Sequence, residues 1–479
     1  MTPQDRATAA RAMTAPLGGP AVEQLAVAVA IGERLVQEAV WSGERCNWVG
    51  AEPVDLRDRV GALTYRALGP NLYVGSSGVA LFLAQLAATT GQDEFRPTAL
   101  AAMRHAISRR DDVSPAARLG FYSGWAGMAA AALRTGRLLD SAELVDAGNG
   151  LLRDLAQQLK QGYDLMSGVA EGGGQQHDLM SGVADGGEQE YDLMSGVAGA
   201  VPAFALGYRC TSDERMAEAA VAAALWLWRS ARKSRTGWSW RSPGLRNQRD
   251  LTGLSHGAAG VAVAFLEAFR LTGEEMFATG ARNAMRYEDR WLDLGEGNWP
   301  DFRENTADRR ARTFVTMWCH GAPGIALSRL YAYELLGEVR WRQDAMTALA
   351  TTERVTRPLT NGGGADFSLC HGLPGNAEPF EEAREVLGTE DLGPVIPRVG
   401  GDVVGTSRVG GDVVGMDIPR LVADHGLDRY ARTGVSWPCG THTAETPNLM
   451  LGLAGIGYFY LRLAVPQVPS VLLPVRWDR

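Results

Sequence analysis

The 479-residue sequence predicts an all-α fold, an (α/α) toroid of about seven inner and seven outer helices. Two observations predict it: a short glycine motif that recurs along the chain, and the helical apolar pattern that follows each copy. The motif is Gly-x-x-Gly ahead of a small and apolar run. It occurs as Gly75-Ser-Ser-Gly78, Gly124-Trp-Ala-Gly127, Gly196-Val-Ala-Gly199, Gly257-Ala-Ala-Gly260, Gly321-Ala-Pro-Gly324, Gly372-Leu-Pro-Gly375 and Gly452-Leu-Ala-Gly455. Successive copies lie 49 to 80 residues apart. One such tetrapeptide is a weak signal, whereas seven that each lead an apolar helix form a repeat, the first thing to seek in a sequence.

The elements follow from the pattern between the copies. Val79-Ala-Leu-Phe-Leu-Ala-Gln-Leu-Ala-Ala is apolar almost throughout and predicts an inner helix buried on most sides. The runs from Val261 and from Ile325 read the same way, while Phe95 to Arg109 and Glu214 to Arg229 are amphipathic and predict outer helices. Paired glycines at a helix start permit close backbone approach. Pairs of one buried and one half-buried helix cannot cover themselves, so they must stack, and a closed ring leaves no exposed end. An open solenoid is the alternative. Residues 1–70 are expected as a helical lead-in packed on the toroid, and residues 71–479 as the toroid itself, with loop insertions near 162–190 and 396–417. Those insertions are duplications. Asp-Leu-Met-Ser-Gly-Val-Ala begins at Asp164, Asp178 and Asp192, and only the third copy runs on into Gly199 and an apolar helix. Arg398-Val-Gly-Gly-Asp-Val-Val-Gly is repeated from Arg408.

Composition narrows the function classes. Apolar residues are 46% of the chain and charged residues 21%, which suits a large globular core. The net charge of -8 argues against nucleic acid as the main partner. No stretch approaches the ~20 apolar residues of a membrane helix. The early apolar run Leu25 to Ile31 lacks the flanks of a signal peptide, so a cytoplasmic location is expected. Five cysteines are too few, and odd in number, for a disulfide scaffold. Cys46, Cys210 and Cys439 read as ordinary buried or half-buried thiols.

Three of the seven helix starts carry reactive side chains directly before the glycine: Ser255-His256-Gly257, Cys319-His320-Gly321 and Cys370-His371-Gly372. In a toroid all three face one end of the cavity. Two cysteines and up to three histidines form a soft ligand set that suits zinc. Four ligands (Cys319, His320, Cys370 and His371) would make a closed structural site. Three would leave a position open for catalysis. Spacing alone leaves both possible.

The segments Trp318-Cys-His-Gly-Ala-Pro-Gly, Leu369-Cys-His-Gly-Leu-Pro-Gly-Asn, Gly253-Leu-Ser-His-Gly-Ala-Ala-Gly and Asp192-Leu-Met-Ser-Gly-Val-Ala-Gly resemble the lanthionine synthetase C-like family. The resemblance runs from about Ile31 to the C-terminus. Asn298-Trp-Pro-Asp-Phe-Arg303, Gly452-Leu-Ala-Gly-Ile-Gly-Tyr and Pro469-Ser-Val-Leu look most like the cyclase half of its fused, bifunctional class. The resemblance implies a toroid, one zinc held by Cys319, Cys370 and His371, His320 as a nearby non-ligand, and catalytic roles for His256 and Asp192. It implies a dehydrated precursor peptide as substrate, whose cysteine thiols add to dehydrated Ser or Thr residues to form thioethers. Arg303 and Arg312 lie upstream of Cys319, where either could steady an enolate oxygen, although a surface ion pair is the plainer role for each. Asp192 could instead be a helix cap, and Asp164 or Asp178 could take its place. His105, His177, His425 and His442 lie outside any motif and read as surface or loop residues.

The fused class carries a long dehydratase ahead of its cyclase, and about 70 residues before the first Gly-x-x-Gly are too few for one. A separate dehydratase, or a cyclase-only relative with another role, is therefore expected. Two rival functions remain: a zinc enzyme joining another thiol such as glutathione to a dehydrated residue, and a peptide-binding toroid with a structural zinc. A sugar- or terpene-acting toroid would want paired carboxylates at the cavity mouth, and the helix starts offer only Asp192.

Overall fold

The computed structural model describes residues 18–53, 63–170, 189–245, 249–303, 312–362, 364–388, 398–399, 402–403, 415–440 and 444–477. Every Gly-x-x-Gly becomes a helix start, with its first glycine as the N-cap. The seven helices are α2 (Ser76–Thr90), α4 (Trp125–Leu138), α6 (Val197–Thr211), α8 (Ala258–Thr272), α10 (Ala322–Leu336), α12 (Leu373–Leu387) and α14 (Leu453–Ala464). They are buried over most of their length and form the inner ring, each against the next, with α14 closing onto α2. The outer helices are α3 (Phe95–Ser108), α5 (Ala142–Ala170), α7 (Glu214–Ser230), α9 (Glu275–Asp289), α11 (Val339–Leu359) and α13 (Ile418–Gly426). Each packs on the inner helix before it, and the first helix, α1 (Gly19–Gln37), packs on α14. The result is the all-helical double ring that the repeat predicts, in which every inner helix has a neighbour on both sides and a cover outside.

The second glycine of each motif has a packing reason. A Cβ on Gly78, Gly127, Gly199, Gly260, Gly324, Gly375 or Gly455 would fall well inside contact distance of the carbonyl oxygen six residues earlier. The turn before each inner helix thus folds its backbone onto the helix's first turn, a closeness that only glycine permits. Glycines in the left-handed conformation, Gly91, Gly273 and Gly337, end α2, α8 and α10.

The turns are also joined to one another. Met450 N donates to Tyr73 O, Tyr73 N to Tyr122 O, Tyr122 N to Met194 O, Met194 N to Ser255 O, Ser255 N to Cys319 O, and Cys370 N to Met450 O. Each of these residues stands two positions before its N-cap glycine, so six backbone hydrogen bonds run around the ring. Among the described residues no such bond joins Cys319 to Cys370. The one open junction is where the two thiols stand.

Residues 465–477 follow α14 as irregular chain, with Val468, Val471, Leu472, Leu473, Val475 and Trp477 buried. Arg134 of α4, Arg270 of α8, Glu334 of α10 and Glu382 of α12 all bond to this segment. Contacts from so many inner helices place it in the lumen. Buried Arg476 pairs with Glu382 and Glu334, while Arg462 and Ser470 both bond Glu378. These pairs account for the charged residues of nominally apolar inner helices, since a buried charge needs a partner.

Among the described residues, five short antiparallel strand pairs lie between the helices. Two of them, Val40–Ser42 with Arg45–Asn47 and Val49–Pro53 with Leu63–Ala67, lie between α1 and α2. The first tandem copy, from Asp164, forms the end of α5. Its continuation, the second copy with Asp178, and most of the 398–415 repeat lie outside the described residues. No described helix is long and apolar enough to cross a membrane.

Candidate metal centre and adjoining acid–base pair

Cys319, Cys370 and His371 each stand in the turn before an inner helix, α10 for the first and α12 for the other two. Their ligand atoms all lie within 4.8 Å of one another, so the three could hold a metal ion. Cys319 and Cys370 are 3% and 1% exposed. His371 Nδ1 is buried with no hydrogen-bond partner, and in the neutral imidazole its lone pair is one that a metal could satisfy. The thiols share charge: the hydrogen bond from Cys370 holds Cys319 well below the usual thiol range, while burial pushes Cys370 up. Burial works against an imidazolium at His371, but the Cys319 thiolate outweighs it and raises its pKa. The donor set therefore fits a soft divalent ion such as zinc.

The two Cys-His-Gly motifs are identical in sequence and different in backbone. Gly372 sits in extended geometry, at φ -108°. Gly321 is at φ +88°, in the region only glycine enters freely, and a Cβ there would collide with the carbonyl of Val315. The two histidines diverge accordingly. His371 reaches the cysteines, whereas His320 Nδ1 donates to Thr252 O at 3.2 Å. His320 is 1% exposed, burial lowers its pKa to about 4, and it is absent from the three-residue cluster.

The neighbouring turns in the ring carry the other expected residues. His256 Nδ1 lies 2.6 Å from Asp192 Oδ2. Asp192 Oδ1 accepts the Ser195 N–H at 2.7 Å, so the carboxylate both caps its turn and orients the imidazole. Burial opposes charge on His256, but the Asp192 carboxylate, helped by Cys319, raises its pKa above the ordinary value. Its ring stacks on His320 at 5.7 Å between centroids. Asp192 and His256 line a cleft with Trp240 and Arg241. Side chains of Asp164 and Asp178 lie outside what is described.

Arg303 is clamped by Asp301 through bonds of 2.7 to 3.1 Å; burial opposes its charge, but Asp301 first, and then the charge of Cys319 and Cys370, raises its pKa. Arg312 is farther out, 3.7 Å from Asp293. Tyr73, passed over in the sequence, joins the site: burial and then the thiol charges push its hydroxyl up, and it is hydrogen-bonded to Cys370. The available signal was its place two residues before Gly75, equivalent to the cysteines. His105 and His425 are helical and half-buried rather than surface or loop residues, bonded to Ser76 and to Thr360 O. His177 and His442 lie outside the described residues. Cys46 and Cys439 are buried and Cys210 half-buried.

Comparisons with known proteins bear on the fold and the family. The solved structure of nisin cyclase superposes with a TM-score of 0.57 at 16% identity, covering 85% of this chain and 92% of that one, which is a likeness of fold. A protein of Danio rerio named glutathione S-transferase LANCL1 is 25% identical over 133 residues. That match spans 28% of this chain and 30% of the relative's length. The family model described as lanthionine synthetase C-like protein matches residues 66–396, more than half of the chain. The chain belongs to the lanthionine synthetase C-like family.

Proposed function

We propose that the protein is a zinc-dependent lanthionine cyclase that adds peptide cysteine thiols to dehydroalanine or dehydrobutyrine. The observation that carries this reading is the convergence of Cys319, Cys370 and His371 beside the Asp192–His256 pair, on consecutive turns of one hydrogen-bonded ring. Cys319, Cys370 and His371 would hold the ion, leaving its fourth position to substrate. A bound zinc there supplies Lewis acidity, which lowers the pKa of a substrate thiol from its usual ~8.5.

The residues of the chain then divide the proton work. Asp192 accepts from His256 Nδ1, leaving Nε2 to exchange protons in the cleft. His256 takes the thiol proton, the substrate sulfur bonds to the β-carbon, and the C=C π pair moves toward the carbonyl as an enolate. His256 returns the proton to the α-carbon, so no atom or electron is gained or lost. The raised pKa of His256 keeps it an effective proton carrier near neutrality. Arg303 is the candidate cation for the enolate oxygen, and Tyr73 orients Cys370. The protein acts on a dehydrated precursor peptide, in the cytoplasm.

A second reading replaces the peptide cysteine with glutathione, favoured by the name of the Danio rerio relative. The test is a zinc assay of wild type and Cys370→Ala beside mass spectrometry of a dehydrated peptide, with and without added glutathione. Zinc in the wild type, none in the variant, and a thioether within the peptide support the cyclase. A glutathione adduct supports the alternative, and a wild type that holds no zinc removes both.

A further inference from the structure

Beyond the metal-side residues, one rim of the site carries a cationic patch in a chain of net charge -8. Trp291, just past α9, lies under three guanidinium groups: Arg290 at 4.5 Å, Arg249 at 4.7 Å and Arg312 at 5.7 Å from its ring centroid. Trp291 is buried, while all three arginines are exposed. Its edge meets the Phe302 ring at 5.0 Å. The next residue is Arg303, whose charge reaches Cys319 and Cys370. The patch thus borders the candidate active site.

Two of the three charges are not neutralised from within. Arg249 and Arg290 have no ion-pair partner among the described residues. Arg312 alone of the three has a carboxylate, Asp293 at 3.7 Å, and other nearby carboxylates are engaged elsewhere: Asp250 with Arg232 and Ser239, Asp301 with Arg303, and Asp289 near Arg329. Stacking on an indole holds a guanidinium by its face and leaves N–H donors on its edge, of which Arg290 spends one on Thr236 Oγ1. A planar donor edge held in that way suits a carboxylate, which accepts two parallel hydrogen bonds. A nucleic acid would want a far longer basic track than one aromatic platform.

We propose that the arginine cluster on Trp291 is a docking surface for an acidic stretch of the substrate peptide, near the cysteine that reacts. This rests on the peptide-substrate reading above. The patch selects peptides with Asp or Glu flanking the reacting cysteine and holds them in register with the site.

The test uses fluorescein-labelled peptides with one cysteine flanked either by Asp and Glu or by Asn and Gln, titrated with the full-length protein by fluorescence anisotropy. Wild type binds the acidic peptide at least about tenfold tighter at low salt, and the preference shrinks as salt rises. The Arg249→Glu/Arg290→Glu protein, with near-UV circular dichroism and zinc content of wild type, loses the preference and keeps its affinity for the amide peptide. Equal wild-type affinity for both peptides overturns the proposal, as does a preference that survives in the double variant. So does displacement of the acidic peptide by a short oligonucleotide at matched charge. Binding is read without turnover: a lost preference beside intact thioether formation sinks only the docking surface. A retained preference without thioether formation sinks only the cyclase.

Discussion

Replacing Asp192 by asparagine removes the charge facing His256 while keeping the side chain's shape and the oxygen that caps Ser195 N. The 2.6 Å contact is a charge-assisted hydrogen bond, a kind that contributes roughly 1.5–3 kcal/mol. The His256 pKa therefore falls in Asp192→Asn. The sign follows from the opposing influences. Burial alone lowers the pKa and Asp192 overcomes it, so without the carboxylate burial prevails. The acidic limb of the pH–rate profile moves down with it, because His256 must start neutral to take the thiol proton. The raised pKa also stabilises the fold: that increment is full below the unfolded value of ~6.5 and fades as pH rises through the folded value, and asparagine removes it. Turnover falls by roughly 10²–10⁴-fold, the range for losing an oriented proton carrier. With seven histidines in the chain, imidazole NMR on labelled protein resolves the titration, with His256→Ala providing the assignment. A His256 pKa that moves by less than about 0.3 units, in protein that retains its metal, refutes the pairing as the source of its proton affinity.

Other outcomes follow from the same geometry. His320→Ala retains one zinc per chain in a metal assay, because His320 stands outside the three-residue cluster; loss of the metal would make the site a four-ligand one. Chelation lowers stability and speeds amide exchange in the turns at Cys319 and Cys370, where a shared ion would supply the junction that backbone bonding leaves open. At a thousandfold excess of metal over Kd the difference is ~4 kcal/mol, read from denaturant melts. Gly375→Ala costs about 3 kcal/mol or more by the same melts, since its Cβ collides with Leu369 O. Gly150→Ala, on α5 with open space around it, instead stabilises by about 0.4–1 kcal/mol.

The double ring was legible because its signals are local. Each Gly-x-x-Gly marks a place where a turn must touch the helix it starts, and each apolar run after it marks burial on all sides. The cysteines and histidines were drawn to one place by their equivalent points in the repeat, whereas the choice of Cys319, Cys370 and His371, and the roles of Asp192 and His256, came from the family resemblance. The difference between His320 and His371 was not legible. It lies in the φ of Gly321 against that of Gly372, and two identical tripeptides do not express it. The lumenal path of residues 465–477 was hidden too, because its partners, Glu334, Glu378, Glu382 and Arg134, are scattered over separate helices. The arginines around Trp291 come from three separate segments, and no spacing rule links Arg249, Arg290 and Arg312.

The central claim is tested most directly by incubating the zinc-loaded protein with a dehydrated, cysteine-containing peptide and counting free thiols by N-ethylmaleimide labelling and mass spectrometry. The account predicts an unchanged peptide mass, loss of maleimide-reactive thiols, and no such loss with His256→Ala or Cys370→Ala. Thiols that stay reactive in the presence of protein with a full zinc complement would contradict it.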